Sequence, residues 1–184
     1  MARTPSIMVA LGTKAPDFVL PDTVSGKDLS LENIKGETGT MIMFICNHCP
    51  FVKHVNAELV RLANDYKNKG IGFAAISSND VINHPDDAPG LMTQIAKQLK
   101  YPFPYLYDES QETAKAYDAA CTPDFFIYDK YLHLVYRGQL DDSRPGNEIP
   151  VTGKDIRHTL DCIINGQPVS QEQKPSIGCN IKWK

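Results

Sequence analysis

The chain has little of what would make it a binder of nucleic acid or lipid. Its 19 lysines and arginines are outnumbered by 22 aspartates and glutamates, the net charge is −3, and both signs are interspersed. Without a long basic run, no electrostatic footprint for nucleic acid or membrane headgroups is expected. No apolar run approaches the roughly 20 residues of a membrane-spanning helix. The opening, Met1 to Gly12, carries only a broken apolar stretch and no signal-peptide core, so a cytoplasmic location is expected. Five cysteines in 184 residues make no disulfide framework; in a reducing compartment, closely spaced cysteines are redox-active or metal-binding rather than structural staples. Internal repeats, low-complexity tracts and a Gly-rich phosphate loop between strand and helix are all missing, so no nucleotide cofactor is expected. What remains is ordinary globular composition, enough for a single domain over residues 1–184.

The most informative stretch is Met43-Phe44-Ile45-Cys46-Asn47-His48-Cys49-Pro50-Phe51-Val52-Lys53-His54. A strand-like apolar run ends in Cys-x-x-Cys-Pro, and a helical pattern begins at once. The first N–H groups of a helix have no partners within it, and the macrodipole adds about half a positive charge there, so a sulfur at that end is acidified. On this reading Cys46 attacks and Cys49, three positions on, closes the disulfide after a mixed-disulfide step. Pro50 suits the first helical turn, where its missing N–H costs nothing. His48 beside the pair would stabilise a Cys46 thiolate if protonated, or is simply a solvated polar helix start. Lys53 and His54 read as surface residues.

The rest of the chain alternates between strand and helix signals. Phe18 to Leu20 and Asp28 to Ile34 read as N-terminal strand or turn pieces. Thr40 to Ile45 is a continuous apolar run expected of a central strand buried on both faces. From Cys49 to Lys69, Val52, Val55, Leu59, Leu62 and Tyr66 recur at helical spacing, and Gly70 ends the pattern. Ile71 to Ser77 reads as a buried strand, Ala88 to Lys100 as a helix, Tyr105 to Asp108 as a short strand and Gln111 to Ala119 as a short helix. After a turn at Cys121-Thr122-Pro123, Phe125 to Tyr128 and Leu132 to Tyr136 form a hairpin joined by residues 129–131. A last helix covers Lys154 to Ile164 and includes Cys162, which reads as packing. The closing segment from Pro175 carries Cys179 and the only tryptophan, an odd content for a frayed end.

This order resembles the thioredoxin fold, an α/β architecture with a central mixed sheet flanked by helices. The opening Gly12-Thr13-Lys14-Ala15-Pro16-Asp17-Phe18-Val19-Leu20, followed by Leu31-Glu32-Asn33-Ile34-Lys35-Gly36, is similar to that of the alkyl-hydroperoxide-reductase/thiol-specific-antioxidant superfamily, with an N-terminal β extension. Within it the chain resembles the peroxiredoxin-like group, on the strength of Phe44 to Val52, Cys121 to Phe126 and Ser176 to Trp183. The resemblance implies that Thr122-Pro123 is the cis-proline turn facing the cysteine pair and offering backbone groups to an incoming substrate strand. It places Cys121 beside that pair, where it could trap, resolve or merely line the site, and lets the tail bring Cys179 back over it.

Two departures from those relatives bear on activity. Peroxiredoxins set a Thr or Ser three residues before the peroxidatic cysteine and an Arg near the later turn; here Cys49 aligns with the peroxidatic position, Cys46 takes the Thr/Ser place, and Cys-Thr-Pro stands where the Arg belongs. Thioredoxins bury an acid in the strand before the pair, and Thr40 holds that place here, so a proton acceptor must come from elsewhere, His48 or water. The expected activity is thiol-disulfide exchange through Cys46 and Cys49 in redox homeostasis, on protein or small-molecule disulfides and thiols, with no metal or other cofactor, and with a pair less reducing than thioredoxin's roughly −270 mV. Alternatives are an antioxidant thiol peroxidase, a metal-binding or metallochaperone module using the two cysteines with a histidine, and a binding protein that keeps only the fold. Against metal, one Cys-x-x-Cys is half a zinc site, and His133 falls within the hairpin.

Overall fold

The computed structural model describes residues 3–184, and a five-stranded mixed sheet organises them. Its centre is β4 (Gly39–Phe44), whose six residues are all buried. It pairs in parallel with β5 (Ile71–Ser77) and antiparallel with β8 (Asp124–Asp129). β6 (Tyr105–Tyr107) and β9 (Leu134–Gly138) complete the order β6-β5-β4-β8-β9. Because side chains alternate along a strand, Met41 and Met43 enter one hydrophobic core while Ile42 and Phe44 enter the other. A strand with a core on each face has no polar side to show, hence its continuous apolar run.

The first core is closed by three helices: α2 (Pro50–Tyr66), α3 (Pro89–Leu99) and α5 (Lys154–Ile164). In α2 the buried positions Val52, Val55, Leu59, Leu62 and Tyr66 are those the spacing predicts. Leu59 and Leu62, essentially without exposure, contribute on the order of 1.5–3 kcal/mol each by leaving water. The helix tightens into a 3-10 turn over Lys67–Lys69 and stops at Gly70, whose φ of 78° is the left-handed conformation favoured just past a helix end.

The second core is closed by α4 (Glu112–Ala116) and by the N-terminal pieces β2 (Val19–Pro21), β3 (Asp28–Ser30) and α1 (Leu31–Ile34). The segment 28–34, read from sequence as strand or turn, divides at Ser30. Its hydroxyl accepts from Asn33 N at 3.3 Å while Asn33 Oδ1 accepts from Ser30 N at 2.9 Å, a reciprocal cap that starts a one-turn helix.

Beyond small shifts at other element ends, the structure corrects the sequence reading at three places. The short helix ends at Ala116 rather than Ala119, because Asp118 takes a φ of 51°. The hairpin's second strand begins at Leu134 rather than Leu132, since Asp129 Oδ1 accepts from the N–H groups of Tyr131 and His133, both at 2.9 Å, and Leu132 turns left-handed. Cys121–Thr122 is a two-residue strand, β7, rather than a turn. It lies in a separate three-stranded ladder, β1-β10-β7, formed with β1 (Arg3–Pro5) and β10 (Ile177–Asn180).

That ladder explains the chemistry-bearing tail. β10 runs antiparallel between β1 and β7, with Cys179 opposite Thr122 and Asn180 opposite Cys121. Gly178 makes this approach possible: a Cβ there would lie 2.0 Å from the Thr122 carbonyl oxygen. Ile181 is then buried in the second core, while Trp183 stays partly exposed.

Candidate functional site

The site forms where β4 ends and α2 begins. The sheet's central strand delivers Cys46 two residues past its last paired position, and an irregular loop carries the chain to Cys49, which caps α2 directly before Pro50. The cis Thr122–Pro123 bond lies against both sulfurs. Thr122 Oγ1 is 3.4 Å from Cys46 Sγ, and the Thr122 carbonyl oxygen is 3.1 Å from Cys49 Sγ. Cys179 Sγ, brought in by β10, is 2.9 Å from Cys49 Sγ. All three cysteines are buried, Cys46 being 2% exposed and Cys49 0%.

The helix end acts on a different sulfur from the one the sequence suggests. The segment between the two cysteines is not helical; the first helical residue is Pro50, so Cys49, not Cys46, occupies the N-cap position of α2. Cys49 is pulled down to about 5, first by hydrogen bonding from Cys46, then by Cys179 and the Val52 N–H, with burial opposing. Cys46 moves up, because it is the partner that keeps its proton toward Cys49, because it is buried, and because the Asp87 carboxylate lies nearby. A donor contact from Cys49 to the Thr122 carbonyl would favour the thiol. The contacts from Cys46, Cys179 and the Val52 N–H outweigh it, so the thiolate is favoured on Cys49.

Asp87, from the 3-10 turn Pro85–Asp87, is a buried acid at the candidate site that sequence reasoning missed. Fully buried, its Oδ1 accepts from the N–H groups of Asn47 and His48 at 2.7 and 3.3 Å, and its Oδ2 meets His48 Nδ1 at 2.6 Å and Asn79 Nδ2 at 2.7 Å. It thus pins the loop between the cysteines. The buried acid that Thr40 does not supply is therefore present, delivered by another element; Thr40 itself is occupied in accepting from Gly36 N at 3.2 Å. His48 Nδ1 pairs with Asp87 rather than with the Cys46 sulfur, and the His48 ring stacks on His84 at 5.6 Å. No local signal marks Asp87, since an acidic pair after a proline normally faces solvent.

Among the described residues, Cys46, His48 and Asp87 form a group with metal-ligand character, each offering an atom within 4.8 Å of the others. Asp87, however, already serves four donors, two on each oxygen, so a cation there would have to displace the contacts that hold the loop.

The remaining sequence candidates are dispersed. Cys121 points its sulfur toward the Pro123 carbonyl at 3.6 Å, and burial together with Asp124 pushes its thiol up. Cys162 sits in α5, 3.7 Å from His158 Nε2. His54 Nε2 bonds Ser143 Oγ at 2.7 Å, Lys53 is exposed, and His133 lies in the hairpin loop at the other end of β8 from Asp124. Arg137, fully buried, binds Asp124 Oδ2 at 3.1 Å and the carbonyls of Tyr117 and Asp118. It is thereby committed away from the cysteine cluster.

Comparison with known proteins matches this geometry. Residues 11–137 match the model of the AhpC/TSA family. The crystal structure of an uncharacterized conserved protein from Geobacillus kaustophilus is 61% identical, with a TM-score of 0.99 over all of this chain and 97% of that one. The thiol-disulfide oxidoreductase ResA of the same organism is 27% identical over 128 residues, 69% of this chain and 68% of the relative. The thioredoxin domain of a thiol-disulfide oxidoreductase from Bacteroides vulgatus superposes with a TM-score of 0.67 at 18% identity, over 86% of this chain and 100% of that one, which identifies the fold as thioredoxin-like.

Proposed function

The chain belongs to the AhpC/TSA family, and from that premise we propose that it is a thiol-disulfide oxidoreductase whose exchanging pair is Cys46 and Cys49. The observation that carries the reading is the asymmetry of the two sulfurs. Both are buried, but Cys49 lies at the start of α2 and is drawn down by its neighbouring thiols and the Val52 N–H, whereas Cys46 moves up. In the oxidised protein a substrate thiolate attacks Cys46 Sγ, and Cys49 departs as the more acidic, better leaving thiolate. In the reverse direction the Cys49 thiolate resolves the mixed disulfide on Cys46. Stabilising the reduced state in this way makes the pair an oxidant relative to thioredoxin. Substrates are protein or small-molecule disulfides and thiols, exchange needs neither nucleotide nor metal, and a reducing cytoplasmic setting completes the proposal.

A thiol peroxidase is the second reading, favoured by one observation: Cys49, at the position that aligns with a peroxidatic sulfur, is the acidified one. The commitment of Arg137 to Asp124 weighs against it.

The test is insulin-disulfide reduction with dithiothreitol, with hydrogen peroxide consumption followed in parallel. We expect Cys46→Ser and Cys49→Ser each to lose at least about tenfold in insulin reduction, with negligible peroxide turnover in the wild type. Fast peroxide consumption abolished only by Cys49→Ser would replace exchange with peroxidation.

A further inference from the structure

The edge of β7 that a thioredoxin-like protein offers to an extended substrate is already taken. β10 pairs along it, Cys179 opposite Thr122, and is fixed there from both sides. Ser176 Oγ donates to the Pro123 carbonyl at 2.7 Å, Ser6 N donates to the Ser176 carbonyl at 2.8 Å, and Gly178 lies where a side chain would strike Thr122. The chain therefore presents its own strand to its own cis-proline turn, and the residue at the register position facing the active sulfurs is a cysteine. The two buried sulfurs, Cys49 and Cys179, stand 2.9 Å apart, which leaves almost no movement between contact and bond.

We infer that Cys179 is a third redox thiol, and that the Cys46–Cys49 disulfide isomerises internally to Cys49–Cys179. The inference rests on the exchange chemistry proposed above. Cys179 attacks Cys49 Sγ, the Cys49–Cys179 bond forms, the Cys46–Cys49 bond breaks, and the proton given up by Cys179 ends on Cys46. Nothing is oxidised or reduced overall, so the step needs no co-reactant. In the reduced site Cys179 keeps its proton, pushed up to about 12 by burial and by the Cys49 anion beside it. Once Cys49 is locked in a disulfide that anion is gone, and the attack is eased at the stage where it is required. The result places the oxidised bond between Cys49 and the strand beside the cis-proline turn and returns Cys46 to the thiol form while the protein still stores two oxidising equivalents. Such a protein would regain a Cys46 thiol for the next exchange without waiting for an external reductant.

The experiment is disulfide mapping by mass spectrometry after oxidation of the full chain with diamide, acid quenching and alkylation. In the wild type we expect Cys49 to be linked to both Cys46 and Cys179. In Cys46→Ala, four of the five cysteines remain, and we expect two of these four thiols to be lost in a Cys49–Cys179 link within a single chain. A wild type showing only Cys46–Cys49, together with a Cys46→Ala protein that keeps all four thiols, would overturn the inference and leave the exchange reading standing. A wild type with no intramolecular disulfide at all would overturn both. Because the wild-type map needs no substitution, a variant that misfolds does not remove the test.

Discussion

At the scale of single residues, the chemistry turns on which cysteine receives the helix end. Two cysteines and a proline at this spacing lead to the expectation of a thiolate at the helix start. Which sulfur holds it depends on whether the helix begins before or after the loop, and only backbone geometry settles that. With Cys49 ionised near pH 5 and Cys46 protonated, reducing the disulfide takes up one proton per two electrons over the neutral range. The reduction potential should therefore fall by about 30 mV per pH unit between pH 6 and 8, not about 59 mV, as read by equilibration with glutathione. The sign for stability follows. A folded value below the ordinary cysteine range means that the thiolate stabilises the reduced fold fully above that range, and that this contribution is lost as pH falls through about 5. The stability deficit of Cys49→Ala in the reduced state should accordingly shrink between pH 9 and pH 5, as measured by urea unfolding. Asp87 shows the opposite kind of legibility. Nothing in its sequence neighbourhood distinguishes it, because its partners Asn47, His48 and Asn79 meet it only through the fold.

At the scale of elements, α2, β5 and α5 were readable because burial imposes a period on them, and the spacing of Val52, Leu59 and Leu62 or the run Ile71 to Ser77 reports it directly. β10 could not be read in this way. Its four residues carry no period, and its pairing partners lie more than fifty residues away in β7 and at the other end of the chain in β1. What the sequence did carry was the oddity of a cysteine and a tryptophan in a terminal segment. Gly178→Ala tests the element as a unit. A methyl group 2.0 Å from the Thr122 carbonyl forces β10 away from β7, and we expect a loss of about 2–3 kcal/mol in stability by chemical denaturation. Loss of the Cys49–Cys179 link in the oxidised variant should accompany it, since the same displacement separates the sulfurs.

At the scale of the whole molecule, two hydrophobic cores lie on opposite faces of one sheet, Cys46, Cys49 and Cys179 belong to the first, and a buried ion pair anchors the strand that follows the cis-proline. Arg137 from β9 reaches Asp124, at the start of β8 directly after the cis-proline, and also the carbonyls that end α4, with its guanidinium 4.2 Å from the Phe126 ring centroid. Arg137→Ala leaves the Asp124 carboxylate buried without its counter-charge, and we expect destabilisation of about 3–5 kcal/mol, measured as a shift in the denaturation midpoint. Among the described residues, no helix is long and apolar enough to cross a membrane. The sequence by itself determined the sheet's central strand, the long helices and a closely spaced cysteine pair where strand gives way to helix, because periodicity and residue spacing are local and survive in a linear reading. Only the tertiary structure decided which sulfur is the anion, which acid holds the loop, and that the tail lays Cys179 against Cys49. Each of these depends on contacts between segments far apart in the chain, and such contacts leave no local pattern for the sequence to display.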